Sequence, residues 1–258
     1  LESLHLPPVL GELVMEKRGL VLVVGATGSG KSTTLAAMLD RRNEEKSGHI
    51  LTLEDPIEFI FRSKRSIVNQ RQIGTDTESL EIALRNAMRQ ALDCILIGEI
   101  RDTTTMSAAI AYAQSGHLVL ATLHANNANN ALNRIVSFYT PENRNVLLSD
   151  LSTTLKAVIS QRLIRSRDES RIPAVEILLN TRHVAELIEQ GRLTDIKEAI
   201  EKSMAPGSRS FDQELARMVR DGLISREDAL SNADSATNLL WNLENDTDDA
   251  ARAPATPA

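Results

Sequence analysis

The chain of 258 residues is 42% hydrophobic, enough for a large buried core, and its length suits one large domain or one domain with a smaller appendage. A formal net charge of −6 provides no global basic field to hold a phosphate backbone, so no nucleic-acid partner is expected. A single cysteine, Cys94, excludes an internal disulfide and a four-thiolate zinc site, and a reduced thiol in an apolar stretch favours the cytosol. No apolar run approaches the roughly 18 residues that span a bilayer and no leader pattern opens the chain, so direct membrane insertion is not expected.

In chain order, residues 1–16, with "LESLHLPPVL", read as a linker from an upstream portion. Short β-branched runs then recur at 19–25, 48–55, 94–99 and 117–123, and read as buried parallel strands. Helical spacing over 31–42, 77–91 and 103–115 alternates with them, the pattern of an open α/β sheet covered on both faces. From Pro141 the pattern changes, and "PENRNVLLSDLSTTLKAVISQRLI" (141–164) reads as a helix with an early proline. A strand at 172–179 follows, then helices around 183–191, 210–222 and 225–233. These divisions predict a core over 17–165, a strand and helical appendage over 166–243, and a disordered tail over 244–258 that is poor in large apolar residues.

"GATGSGKST" (25–33) follows a strand and opens a helix, as the phosphate-loop pattern G-x-x-x-x-G-K-[ST] requires. Gly25, Gly28 and Gly30 allow the backbone of Ala26, Thr27 and Ser29 to turn its N–H groups inward to a β-phosphate at a helix N-terminus. Lys31 is expected on the β- and γ-phosphates, the Ser32 hydroxyl on Mg²⁺, and Thr33 beside the α-phosphate. A nucleoside triphosphate such as ATP, with Mg²⁺, is the implied ligand. Glu99 ends an apolar strand, where a carboxylate faces the phosphate crevice, and is the candidate for orienting the attacking water. Glu54, Asp55 and Glu58 end the preceding strand in the same manner, and acids beside a triphosphate call for Mg²⁺ to relieve repulsion. Glu58 and Glu99 are therefore candidates to meet the metal through water. His117 and His124 bracket one buried strand, roughly 23 Å apart at strand rise, too far to share a metal. His124 falls at the phosphate end; each can be a structural histidine or a sensor of nucleotide.

The phosphate loop "GATGSGKSTT", the acidic box "LTLEDPIEFI", "ILIGEIRD" and the histidine box "GHLVLATLHANN" occur in an order that resembles the secretion ATPases of type IV pili and type II secretion. The resemblance spans Leu4 to Trp241 and is closest to the retraction motors of twitching motility, the PilT/PilU family, on its PilU side. One cysteine, where assembly and secretion members usually carry a four-cysteine zinc module, points the same way. The resemblance implies a RecA-like core, a catalytic Glu99, an acidic-box Glu58 near metal and water, and nucleotide sensing by His117 and His124. It also implies a homo-hexamer, a PilT-type paralogue and an inner-membrane platform protein as partners, and a place at the cytoplasmic face of that membrane. Family members carry an upstream PAS-like N-terminal domain that lends arginines to a neighbour's site; no such domain lies in this sequence. Two departures stand out: "HVAELIEQ" (183–190) where PilT carries AIRNLIRE, and Leu92 where the family often has proline. The alternatives are an assembly or secretion ATPase, or a nucleotide-binding structural subunit with little turnover.

Overall fold

Residues 1–251 are described by a computed structural model. Seven strands form one sheet in the order β3-β2-β4-β5-β1-β6-β7. They are β1 (Gly19–Val24), β2 (Gly48–Glu54), β3 (Ser66–Gln72), β4 (Cys94–Ile97), β5 (Leu118–Leu123), β6 (Leu155–Arg165) and β7 (Arg171–Leu179). All neighbouring pairs are parallel except β6 and β7. The helices are α1 (Val9–Met15), α2 (Lys31–Glu45), α3 (Leu80–Ala87), α4 (Thr103–Gln114), α5 (Ala128–Ser137), α6 (Arg144–Thr154), α7 (Arg182–Glu189), α8 (Ile196–Glu201), α9 (Phe211–Arg220), α10 (Arg226–Asn232) and α11 (Ala236–Ala251).

Two cores follow from strand alternation. On β1, Leu20, Leu22 and Val24 face the cluster with α3 to α8, whereas Val21 and Val23 face the cluster with α1 and α2. Because β1 and β5 are buried on both faces, their sequences read as near-continuous apolar runs rather than alternating ones. Cys94 lies fully buried on β4, and burial pushes its thiol up to about 11, so it is an inert packing group.

Three sequence expectations are corrected, and two elements lie where none was expected. The supposed linker carries α1, whose Leu10 and Val14 are fully buried against α2. Its prolines stand just before the first turn, where they suit a helix start, and Leu6, Val9, Leu10, Leu13 and Val14 repeat at helical spacing. The single helix expected over 141–164 is instead α6 followed by β6. "LKAVISQRLIR" satisfies a three-to-four repeat on paper, but pairing with β1 places five consecutive residues, Ala157 to Gln161, in buried strand positions, and tertiary pairing overrides local pattern. β3 and α5 carry no expectation at all: β3 is a polar edge strand, and α5 begins only where Asn127 caps it through Asn130 N–H. Finally, α11 runs into the stretch expected to be disordered from 244, since scarcity of large apolar residues argues against burial and does not by itself exclude a helix; the part of that expectation beyond 251 lies outside the described residues.

The strand at 172–179, expected within the appendage, is β7 of the same sheet. Beyond it, α9, α10 and α11 gather on Ile164 and Ala174 in a third cluster with Leu215, Met218, Ile224 and Leu239.

Candidate nucleotide site

At the carboxyl ends of β1, β2, β4 and β5 lies a cleft of about 1210 Å³. Thr27, Gly28, Gly30, Lys31, Ser32, Thr33, Glu54, Asp55, Glu58, Glu99 and His124 line it. Gly25 and Ala26 line the adjoining hollow with His124, and Ser29 is buried beneath the loop. The expected phosphate-loop residues and acids thus converge.

Two glycines are required for different reasons. Gly30, with φ 88, is in the left-handed region at the N-cap of α2. Gly25 is a matter of close approach, since a Cβ there would lie 2.6 Å from the Gln161 carbonyl oxygen. Gln161, on β6, is the anchor that sequence reasoning missed. Its amide accepts from Thr34 Oγ1 at 2.7 Å and donates to the Ser29 carbonyl at 2.8 Å, with the residue only 3% exposed. One buried side chain therefore fixes both the loop and the first turn of α2. Only recognition of 155–165 as a strand beside β1 would have pointed to it.

Lys31 folds back so that Nζ donates to the carbonyls of Gly25 at 3.0 Å and Ala26 at 2.9 Å. Burial holds its pKa below the ordinary lysine value, opposed by the charges of Glu99 and Glu58. Ser32 Oγ donates to Glu58 Oε1 at 2.8 Å, a hydroxyl and a carboxylate side by side. Glu54 Oε1 accepts from Gln70 Nε2 at 3.3 Å.

Glu99 lies two residues past β4 on a segment tied to both neighbouring strands. Gly98 N–H donates to Leu53 O at 2.8 Å and Ile100 N–H to Thr122 O at 2.9 Å, while Thr122 Oγ1 donates to Gly98 O. Arg101 Nε donates to Glu99 Oε2 at 2.6 Å, and His124 Nε2 stands 3.2 Å from Oε1 but off the line of a hydrogen bond. A small turn of the ring lets Nε2 donate there when it carries the proton.

His117 is not brought to this cleft. It precedes β5 at the amino end of the sheet, where Nδ1 lies 3.1 Å from Ser115 Oγ and the ring meets Tyr112 edge-on at 5.4 Å. The expectation that His117 shares the nucleotide site therefore does not match its position: β5 is a straight strand, and its two ends face opposite rims of the sheet.

Among the described residues no group of three or more His, Cys, Asp or Glu could hold a metal ion. The oxygen set of Ser32 and Glu58 nevertheless suits Mg²⁺, which prefers hard oxygens and takes few protein ligands when phosphates and waters complete its shell.

A family model described as Type II/IV secretion system protein matches residues 8–230. The chain belongs to that family. Among its relatives in the Type II/IV secretion system family, type IV pilus ATPase PilU of Pseudomonas aeruginosa is 49% identical over 93% of this chain and 63% of that protein. The type IV pilus retraction ATPase PilT of the same organism is 43% identical over 93% of the chain and 70% of that protein. The crystal structure of the pilus retraction motor PilT with bound ADP superposes with a TM-score of 0.87 at 40% identity, covering 93% of this chain and 68% of that one. The chain thus spans somewhat under two thirds of the length of PilU. The similarity agrees with the RecA-like α/β core expected from the motif order. No helix among the described residues is long and apolar enough to cross a membrane.

Proposed function

We propose that the protein is a Mg²⁺-dependent ATPase whose hydrolysis powers retraction of type IV pili in twitching motility. The observation that carries this reading is the convergence of the phosphate loop, the Ser32–Glu58 pair and Glu99 on one cleft.

The phosphate-loop amides and Lys31 hold the triphosphate; Lys31 exchanges its two loop carbonyls for β- and γ-phosphate oxygens, a richer set of charge-assisted contacts. Mg²⁺, when bound through Ser32 and water-linked to Glu58, neutralises phosphate charge. Glu99 orients a water in line with the γ-phosphorus. The water oxygen bonds to phosphorus as the bond to the bridging β–γ oxygen breaks, ADP leaves with that electron pair, and the water proton passes to Glu99 and on to solvent. Arg101 takes one acceptor site on Glu99 Oε2 and His124 stands beside Oε1, which leaves lone pairs on both oxygens for the water.

Similarity to PilT and PilU supports a homo-hexameric ring in the cytoplasm, attached to the inner membrane through a platform protein and acting as an accessory to a PilT-type paralogue. Full-length protein tests the chemistry. Glu99→Gln lowers kcat by about 10²–10⁴ while ADP affinity stays near the wild-type value; equal rates for the two proteins contradict the reading. In cells, loss of the gene leaves surface pili but impairs twitching if the motor retracts, whereas loss of the pili themselves assigns it to assembly.

A further inference from the structure

On β6, Arg162 lies between the turn after β5 and the C-terminal helices. Its NH2 donates to the Asn126 carbonyl at 3.2 Å and to Asp234 Oδ1 at 2.5 Å, and its NH1 to the Asn232 carbonyl at 2.6 Å. The guanidinium carbon stands 3.8 Å over the Phe211 ring. Asp234 accepts in addition from Asn127 Nδ2 at 3.3 Å, and its own N–H donates to Asp212 Oδ1 at 2.9 Å. The Arg162 and Asp234 side chains are only 22% and 16% exposed, so the ion pair is shielded from water.

Asn126 and Asn127 lie two and three residues after His124, and Asn127 is the N-cap of α5. One planar fork therefore grips the turn that carries His124 and the junction between α10 and α11, a geometry that an ammonium cannot reproduce. From Asn126 to His124 is two residues, at most about 7 Å of chain, so the clamp anchors the backbone close to the imidazole. The 3.2 Å contact of His124 with Glu99 is close enough for a hydrogen bond but not aligned as one, so the orientation of the imidazole decides whether it forms.

We propose that Arg162 is a positioning residue for the nucleotide site: it clamps the Asn126–Asn127 turn to the C-terminal helices and so sets where His124 meets Glu99. This rests on the assignment of Glu99 to water orientation. It makes α9 to α11 a sensor or lever for the acid, since any movement of the α10–α11 junction pulls on the same guanidinium.

The test uses full-length protein carrying Arg162→Met, Asp234→Asn, His124→Ala and each double variant with His124→Ala. Arg162→Met lowers kcat about tenfold, the size usual when a group orients a site from one layer out, with ADP affinity within about twofold of wild type because the phosphate loop is untouched. Asp234→Asn, which leaves the stacking on Phe211 in place, shows a smaller drop in the same parameter. In the His124→Ala background neither substitution lowers kcat further, the non-additivity expected if both act through the imidazole. Full additivity, or a reduced melting temperature with unchanged kcat in the folded fraction, overturns the proposal. Should Arg162→Met not fold, the Asp234→Asn cycle with His124→Ala decides by the same criterion. If Glu99→Gln hydrolyses ATP as fast as wild type, the catalytic reading itself falls; if Glu99→Gln is inactive and the Arg162 and Asp234 variants are normal, only the clamp falls.

Discussion

The two ends of β5 carry one histidine each and do opposite work. At the carboxyl end, His124 stands 3.2 Å from Glu99 within a rim of loops, acids and hydroxyls. At the amino end, His117 packs edge-on against Tyr112 and bonds to Ser115, a local arrangement that closes the α4–β5 turn. In a parallel sheet every strand delivers its following loop to the same rim, so chemistry accumulates at one edge and packing at the other. Identical residue types on one strand are thus separated in role by position alone.

The polar rim extends past the nucleotide loops to β6 and β7, and the largest predicted effect lies there. Glu176 is 3% exposed and its Oε1 accepts from Ala128 N–H at 2.8 Å and Ser160 Oγ at 3.0 Å. Burial pushes its pKa from 4.5 up to about 7, against those two hydrogen bonds. With the folded pKa above the unfolded one, the native state binds the extra proton between these values. Stability therefore falls as pH rises from about 4.5 to about 7 and levels off above. Glu176→Gln removes this dependence, flattening the difference by about 3 kcal/mol across that window, which urea titrations at pH 5 and pH 8 measure. An unchanged pH slope would detach Glu176 from the rim.

Gln161 comes next. Gln161→Leu leaves the Ser29 carbonyl and Thr34 hydroxyl without their buried partner and costs about 2 kcal/mol, and it weakens ADP binding by loosening the phosphate loop, both readable in a thermal-shift series with ADP. A loss of stability with no loss of affinity would place the loop outside its control. The histidines then sharpen the comparison directly: His124→Ala lowers kcat about tenfold, whereas His117→Ala costs about 1 kcal/mol of stability and leaves kcat unchanged. Reversal of that pattern would break it. Smallest is Arg85→Ala on the exposed face of α3, where loss of the Glu81 pair shifts stability by no more than about 0.5 kcal/mol.

Most of the carboxyl rim was legible in the sequence because its parts are local. The phosphate loop needs its glycines and lysine within nine residues, and Glu99 and His124 are marked by the ends of near-continuous apolar strands. What escaped is non-local. β6 reads as the continuation of a helix until β1 is beside it, so Gln161, Ser160 and Arg162 carry no signal before the pairing is known. Their partners, Ser29, Glu176 and Asp234, are 132, 16 and 72 residues away. β3 escaped because an edge strand is polar on one side, and α1 because prolines that start a helix look like those that end one.

Everything rests on the claim that a triphosphate is gripped at the carboxyl rim by the phosphate loop and Lys31. Calorimetric titration of full-length protein and its Lys31→Ala variant with Mg²⁺ and a non-hydrolysable ATP analogue tests it most directly. Wild type binds near one equivalent per chain and Lys31→Ala at least about tenfold more weakly, the loss of a charge-assisted phosphate contact. Equal affinity in the two proteins, or no uptake by wild type, would contradict it.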